Sequence, residues 1–548
     1  MTSPLGERVP VRPAPDDRHD ALLIALTHPA DQDLGIPFDS ETGDRFAPFL
    51  ERDLVLRLLE IFYSDLYCLV PFPDQTRLMR DFHSRRETHP GGEEWTAMLL
   101  TLVAVTTCLG PSRTGLSRDV ALRLIVDCRG QVEKYLQQLS HQPTIYRSII
   151  LAGMGIVAHA LGNPLRAREL HGANVAFLLH LELNEEYTYA TLDSYEADLS
   201  RRVWWAAYNS DRSAACFEGC KTLIAESLCD VLGLPNIRDD QGALHHESSL
   251  AVAATETPSI MGFWFICKLW RCASQLKPIV TSAGVMTRRD FSRKVKSNLM
   301  AIVTGPILAH RDRDRHHHPS PIELQTRLHQ LEEFFAQVED LMRDCAPEFR
   351  LHVNGHAEGI LNVGGNGFAE PVSAVPNEPS LPSSIAPEQK TFLVHQANIY
   401  ITQQALLFLG LKYRHELLSI EAGRRTAVVP GPFATTLSSS HQARRQEETG
   451  QVARHDNMVV LVNLLHILQV LPTEAIGINA LPCLTKIRFV AAELLNQLEV
   501  PVDGHASSEQ MAERQRAYEY LNRYLHVLSE AERMFSLQGE GGVGSEAP

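Results

Sequence analysis

The residues with the clearest metal-binding chemistry are histidines that lie next to one another in the sequence. His316, His317 and His318 are consecutive, and His310 lies a few residues before them. Neighbouring side chains in an extended segment point in alternating directions, so consecutive histidines do not easily converge on one ion. The alternating charges of residues 311–315 are typical of a solvated surface. The sequence therefore predicts no metal site in this segment.

A second group that could bind a metal ion consists of Cys216, Cys220 and Cys229. The first two are four residues apart and would share one face of a helix, but no fourth ligand converges on them. The chain has ten cysteines without a Cys-x-x-Cys pair, and most lie in apolar runs, where a reduced cysteine acts as a small hydrophobic residue. We predict no metal, no cofactor and no disulfide, which fits a reducing intracellular compartment.

Motifs of catalysis are missing from the sequence. It contains no nucleophile elbow, phosphate-binding loop, dinucleotide fingerprint or metalloprotease helix. Acidic residues and histidines are present throughout the chain, but their spacing singles out no acid–base group. The sequence favours a protein that is not an enzyme, and a helical enzyme with no recognisable motif is the least favoured alternative.

The charge of the chain bears on its partners. Its 548 residues carry a formal net charge of −15, which repels nucleic-acid phosphates on average and predicts no specific DNA binding by this chain alone. A local basic cluster is the exception, and it fits a nuclear-localisation signal, a partner contact or a solvated helix face. The cluster comprises Arg288, Arg289, Arg293, Lys294 and Lys296. No apolar run is long enough for a membrane span, and the N-terminus has no secretory signal.

The elements that position these residues are helices. Apolar residues recur at helical spacing in most of the chain, and no convincing strand pair is found, so we predict an all-α fold built as one large multi-helix bundle. Segments rich in Pro, Gly and Ser interrupt this pattern and are predicted to be flexible. The predicted organisation is a disordered leader at 1–48, a helical domain at 49–345, a flexible insertion at 346–388, the remaining helices of the same domain at 389–537 with a loop at 421–451, and a disordered tail at 538–548.

The segment from Asp193 to Cys216 is predicted to be the central helix. Asp193 can cap its N-terminus, with Glu196 three residues later as in a capping box. Asp198 can pair with Arg201 or Arg202 one turn later. Adjacent tryptophans at 204 and 205 point about 100° apart on a helix, so both can be buried only if the helix is covered on two sides. A buried Asp211 would need a partner, such as Arg212 or an arginine of another helix.

This helix resembles a signature of the fungal transcription factor middle homology region. The shared pattern is Glu-x-x-Leu-x-Arg-Arg-Val-Trp-Trp-x-x-Tyr-x-x-Asp-Arg over residues 196–212. Its signature residues are Arg201, Arg202, Trp204, Trp205, Tyr208, Asp211 and Arg212. The Pro-Phe turn at 71–72, the helix pair around 162–164 and the Asp-Val-Leu-Gly-Leu-Pro ending at 230–235 also resemble this region. The resemblance covers residues 54–235 well and the rest of the chain loosely.

The resemblance implies a nuclear, largely helical regulator of transcription. In this family the region normally follows an N-terminal zinc binuclear cluster that binds DNA, and the six closely spaced cysteines of that cluster are not in this sequence. We therefore expect a regulator of the zinc-cluster class that lost or never had the cluster, or a truncated gene model. It would act by binding a zinc-cluster transcription factor, by forming a homodimer, or by binding a small metabolite. A helical scaffold or adaptor without a transcriptional role is the main alternative.

Overall fold

The structure is a computed structural model, and it describes most of the predicted helical domain. The described residues are 50–89, 92–138, 144–218, 220–229, 233–235, 260–274, 276, 320–351, 387–427, 456–499 and 508–535. These residues form helices joined by short turns, and no strand occurs among them. The prediction of an all-α fold is confirmed. The predicted leader, the predicted tail, the basic cluster at 288–296 and the histidines at 310–318 lie outside the described residues.

The helices follow one another closely in the described chain. They are α1 Arg52–Ile61, α2 Gln75–His83, α3 Gly92–Leu109, α4 Pro111–Thr114, α5 Arg118–Gln138, α6 Ile145–Ala160, α7 Pro164–His180, α8 Glu186–Thr191, α9 Ser194–Phe217, α10 Ile260–Ser274, α11 Pro321–Arg343, α12 Pro387–Ala427, α13 456–470, α14 Thr473–Ile478, α15 Ala480–Glu499 and α16 Ser508–Phe535. One π-helical turn, Phe62–Leu66, continues α1.

Helix α3 forms the centre of the N-terminal half. It is mostly apolar from Trp95 onward, and nearly all of its side chains are buried because α1, α5 and α6 pack around it. Its buried threonines cost little, since each hydroxyl donates to the carbonyl four residues earlier. The bond from Thr101 Oγ1 to the Ala97 carbonyl, for example, is 2.8 Å. The sequence predicts a buried helix here, and the structure confirms it.

Helix α12 has the corresponding position in the C-terminal half, where α10, α11, α14 and α15 pack against it. Aromatic rings connect the two halves. Phe217 at the end of α9 lies 6.2 Å from Trp270 of α10 and 5.2 Å from Phe489 of α15, measured between ring centroids. The ring of Phe489 also lies 5.6 Å from that of Phe408 in α12. The predicted bundle is thus one packed unit on both sides of the segment between α9 and α10.

An ion cluster makes a second connection between the halves. Asp65, in the π-helical turn, is only 5% exposed and pairs with both Arg113 of α4 and Lys390 of α12. Burial alone would raise the pKa of Asp65, but these two cations outweigh it and lower the pKa below its usual value. The carboxylate therefore stays ionised, and it links residues 325 positions apart in the chain.

Two predicted flexible segments contain ordered residues at their edges. The 346–388 insertion begins with a 3-10 turn, Pro347–Phe349, and Phe349 is fully buried against Phe392, with ring centroids 5.1 Å apart. Helix α12 continues to Ala427, although a loop was predicted from residue 421. These boundaries were wrong because the Pro- and Gly-rich composition hides a single anchoring phenylalanine, and because long helices do not need an apolar face at their ends. Residues 352–386 and 428–455 lie outside the described part of the chain.

Candidate functional site

Helix α9 carries the seven predicted signature residues, and its start is determined locally. The Asp193 carboxylate accepts hydrogen bonds from the backbone N–H groups of Tyr195 (2.9 Å) and Glu196 (2.8 Å), which confirms the predicted cap. Trp204, Trp205 and Tyr208 are all 0% exposed. The helix is therefore covered on two sides, as the adjacent tryptophans require.

Trp205 and Arg201 hold the chain segment that returns over α9. The indole Nε1 of Trp205 donates to the Gly233 carbonyl at 2.9 Å, and Arg201 Nη1 donates to the same oxygen at 3.0 Å. Arg201 also makes two bonds to Glu186, at 2.6 and 2.8 Å, and its guanidinium lies 3.9 Å above the Tyr189 ring. The hydrogen bonds from Arg201 lower the pKa of Glu186. These contacts fix residues 233–235 against α8 and α9.

Tyr208 and Arg212 bind the preceding part of the same segment. The Tyr208 hydroxyl lies 3.0 Å from both carboxylate oxygens of Glu226. Arg212 Nη2 donates to Glu226 at 2.8 Å and to the Ile224 carbonyl at 3.0 Å, and its guanidinium lies 4.5 Å from the Tyr208 ring centroid. Burial raises the pKa of Tyr208, so the phenol stays protonated and can donate to Glu226.

Asp211 is completely buried and accepts hydrogen bonds from the backbone. The N–H of Leu223 lies 3.0 Å from both of its oxygens, and the N–H of Ile224 lies 3.2 Å from Oδ2. Arg168 and His171 of α7 are each 3.5 Å away, and Arg212 is 3.8 Å away. Burial would raise the pKa of Asp211, but the neighbouring His171 and the hydrogen bonds from the two backbone N–H groups outweigh it and lower the pKa. The predicted arginine partners are present, but the backbone N–H groups are closer.

Arg202 connects α9 to the beginning of the domain. It pairs with Asp198 at 2.7 Å, as predicted, and Nη1 donates to the Tyr67 hydroxyl at 3.2 Å and to the Pro71 carbonyl at 3.3 Å. Trp204 differs from the other signature residues because its Nε1 has no partner among the described residues. The signature side chains thus bind two parts of the chain to α9, one at residues 67–71 and the other at residues 223–226 and 233.

A cleft lies on the other side of α7, between α5 and the hairpin formed by α6 and α7. It encloses about 500 Å³ including the space open to solvent. Its lining is mixed, with six apolar and four polar residues. The apolar lining residues are Leu136, Met154, Val157, Ala158, Leu161 and Leu170, and the polar ones are Arg129, Glu133, Asn163 and Arg166. We name this feature the α5–α7 cleft. Nothing in the sequence indicates this cleft, because a helix face that lines a cleft has the same periodicity as one that packs in the core.

Comparison with known protein families finds a match for the region that contains α9 and the α5–α7 cleft. Residues 59–254 match the fungal specific transcription factor domain. This part of the chain is therefore similar to the fungal specific transcription factor domain. The match includes α9 with all of its signature residues and the α5–α7 cleft. No curated protein and no solved structure matches this chain.

The cysteines considered as metal ligands do not form a site among the described residues. All ten cysteines are described, and no disulfide joins them. Within the described residues, no group of three or more histidine, cysteine or acidic side chains could hold a metal ion, and this includes Cys216, Cys220 and Cys229. None of the described helices has the length and apolar character that a membrane span requires.

Lys486 is a buried lysine that the sequence pattern does not indicate. Lys486 of α15 is 3% exposed, donates to Thr402 Oγ1 at 2.7 Å and lies 5.3 Å from the Trp270 ring. Burial lowers its pKa. Lys486 lies in the C-terminal helices, beyond the matched transcription factor domain, and its position in the middle of a helical pattern gave no signal of burial.

Proposed function

We propose that this protein is a nuclear regulator of transcription that acts through its helical domain, by binding a partner or a small metabolite, and not as an enzyme. The proposal is supported by one observation above all. The matched region contains α9, and the signature residues of that helix hold the chain on both sides of it. Such a unit can change a partner's activity by switching between two packings when a ligand or partner prefers one of them.

We further propose that DNA binding is supplied by a partner, a zinc-cluster transcription factor. This sequence contains no Cys-x-x-Cys pair and no group of six closely spaced cysteines. Burial raises the pKa of Cys108 and of Cys267 to about 12, which disfavours the thiolate form that zinc requires. The net charge of −15 also disfavours direct contact with DNA phosphates.

The regulatory part of the proposal is tested by fusing the full chain to a heterologous DNA-binding domain in front of a reporter gene. We expect reporter expression to change, and a tagged chain without that fusion to accumulate in the nucleus. The matched variants are Trp204→Ala, which removes a buried side chain of α9, and Ser210→Ala, which changes an exposed position of the same helix. Only the first variant should lose the effect on the reporter.

The DNA-binding part is tested separately with the purified full chain. We expect no sequence-selective shift of duplex DNA at physiological salt, and chromatin association in cells only while the partner is present. A tight, selective shift by the isolated chain would contradict partner-supplied DNA binding. A reporter that does not respond to the fused chain, with the chain excluded from the nucleus, would contradict a role in transcription and favour a scaffold.

A further inference from the structure

We propose that the exposed face of α2 is a docking surface for the acidic segment at residues 31–44 of this same chain. The surface is formed by Arg77 and Arg80 of α2 and by Arg85 and Arg86 of the turn that follows, and we name it the α2 basic face. This inference goes beyond the proposed function and does not depend on a role in transcription, because it concerns a contact of the chain with itself.

The α2 basic face presents its guanidinium groups to solvent. Leu78 and Phe82 lie on the other side of α2 and are buried, so the orientation of the helix is fixed. The side chain of Arg80 is 69% exposed and that of Arg86 is 40% exposed. Arg85 follows the helix in a left-handed backbone conformation, with a φ of 56°, and is also exposed. The exposed residues of α2 itself include no acidic residue, and they are Gln75, Thr76, Arg77, Arg80 and His83.

Too few carboxylates lie on this face to neutralise it. Asp81 serves two arginines, since it pairs with Arg86 at 2.6 Å and with Arg80 at 3.5 Å, and its side chain is only 14% exposed. Asp74 accepts the backbone N–H of Arg77 at 2.7 Å and caps α2, where its charge offsets the positive end of the helix dipole. Within the described part of the chain, neither Arg77 nor Arg85 forms an ion pair. The face therefore carries uncompensated positive charge.

Arg77 is held in an ordered position that suits a salt bridge. Its guanidinium lies 3.7 Å from the ring centroid of Tyr195, in the first turn of α9. Stacking uses the flat face of the guanidinium, so the N–H groups along its edge can still donate to a carboxylate. Because the stacked side chain has already lost much of its freedom, a carboxylate that binds to it has a smaller entropy cost to overcome.

The segment at residues 31–44 has the complementary charge. It contains five carboxylates and no lysine, arginine or histidine, and the carboxylates are Asp31, Asp33, Asp39, Glu41 and Asp44. The segment lies outside the described residues. Single exposed ion pairs are weak, but several of them on one segment add up when the opposing charges lie on one face.

The chain delivers this segment beside α2. Residues 45–49 join it to Leu50, which is buried. Two residues later, Arg52 Nη2 donates to the carbonyl of Phe82 at the end of α2, at 2.7 Å, and Arg52 also pairs with Glu87. From residue 44 to residue 50 the chain spans up to about 20 Å, at roughly 3.3–3.6 Å per residue, whereas the nine residues of α2 extend over about 14 Å. The connection is thus long enough to cover the length of the helix.

This short connection makes the segment a built-in competitor for the α2 basic face. Short linkers give a tethered segment an effective concentration in the millimolar range. A partner that binds the face through carboxylates or phosphates has to compete with the chain's own carboxylates, which are always present at that concentration. Occupancy of the face by a partner therefore requires more contacts than the internal segment makes.

The test uses carbodiimide cross-linking of the purified full chain, which joins an amine to a neighbouring carboxylate as an amide. Arg80→Lys keeps the positive charge and supplies the amine. Mass spectrometry of the digested monomer should find a cross-link between position 80 and an acidic residue of the segment at 31–44. The yield should fall several-fold in about 1 M salt, where the Debye length is about 3 Å and exposed ion pairs are screened.

Arg57→Lys is the matched control. Arg57 is exposed on α1 and lies nearer to the acidic segment along the sequence, but it is not part of the α2 basic face. A segment that only moved about its tether would react with position 57 at least as often as with position 80. We expect roughly tenfold more cross-link at position 80, the enrichment given by a few exposed ion pairs acting together. Replacing Arg77 and Arg85 by Gln in the Arg80→Lys chain should remove most of this difference.

Circular dichroism checks that each variant keeps its helices. Equal yields at positions 57 and 80, or a yield at position 80 that is the same with and without Arg77 and Arg85, would refute docking on this face. Cross-links that join two chains would assign the bound segment to a second copy and overturn the internal contact. A chain whose five carboxylates at 31–44 are replaced by amides should lose the cross-link to that segment and gain affinity for an added peptide of residues 29–46. An unchanged affinity for this peptide would show that the segment does not cover the face.

Discussion

Gly153 lies where α6 crosses α3, and the space there is too small for any side chain. A Cβ atom at this position would lie 2.3 Å from Cγ2 of Thr101 and 3.4 Å from Cγ2 of Val105. Thr101 cannot turn its methyl group away at no cost, because its hydroxyl donates to the Ala97 carbonyl in the present rotamer. We therefore predict that Gly153→Ala forces α3 and α6 apart and destabilises the protein.

The magnitude is set by two opposing effects. Overpacking in a filled core costs about 1–3 kcal/mol, whereas replacing glycine by alanine inside a helix gains about 0.5–1 kcal/mol. Gly155, in the same helix, provides the matched control, since the nearest atoms to its Cβ would be the Ala167 carbonyl oxygen at 3.7 Å and the Leu170 Cβ at 3.9 Å. Gly155→Ala should thus be neutral or stabilising. The gain is common to both variants, so they should differ by the overpacking cost of about 1–3 kcal/mol.

The measurement is urea denaturation followed by circular dichroism, with midpoints compared between variants. Thr101→Ser removes the clashing methyl group and keeps the hydroxyl that bonds to Ala97. In that background, Gly153→Ala should lose most of its cost, so the two substitutions should be strongly non-additive. Equal midpoints for Gly153→Ala and Gly155→Ala, or the same cost of Gly153→Ala with and without Thr101, would refute the reasoning.

Three further predictions concern buried contacts. Gly262→Ala places a Cβ 2.2 Å from Cγ of His395 and should lower the melting temperature by several degrees, because α10 cannot keep its distance from α12. Trp204→Ala should cost about 3–5 kcal/mol in chemical denaturation, the range for a large aromatic truncation. Asp211 has a lowered pKa, so its contribution to stability is present above about pH 4 and is lost as the pH falls further. Asp211→Asn should therefore destabilise the protein at neutral pH and flatten this loss in acid.

The controls for these predictions come from the same helices or from open positions. Gly130→Ala meets no atom within 4 Å and should not lower the melting temperature. Trp204→Phe should cost much less stability than Trp204→Ala. It keeps an aromatic ring at this position and removes an indole N–H that has no partner among the described residues. If the stability of Asp211→Asn falls in acid as steeply as that of the parent, other carboxylates determine this loss.

Local features of the fold could be predicted from the sequence because their causes lie within one or two helical turns. The cap at Asp193 and the pair of Arg202 with Asp198 depend on residues three or four positions apart, and the structure contains both. The burial of Trp204 and Trp205 was predictable from their adjacency on a helix, since no orientation buries both unless two neighbours cover α9.

Long-range contacts could not be predicted, because nothing in the local pattern encodes them. The Gly233 carbonyl accepts from both Trp205 and Arg201, yet it lies 28 residues beyond Trp205 in a loop. Phe349 is an anchor inside a segment whose composition indicates flexibility. The α5–α7 cleft depends on how far three amphipathic helices approach one another, and their apolar faces would have the same sequence in a closed interface.

The ion cluster of Asp65 with Arg113 and Lys390 has a consequence for exchanging parts between regulators of this kind. A fragment cut at residues 59 and 254 would keep Asp65 and Arg113 but lose Lys390, and it would leave Phe217 without the rings of Trp270 and Phe489. A chimera built on the matched stretch alone would therefore expose apolar rings and would leave Asp65 with only one of its two cationic partners. A fragment that can be exchanged between such proteins therefore has to include α10, α12 and α15. We expect recombination to preserve a segment much longer than the matched residues 59–254.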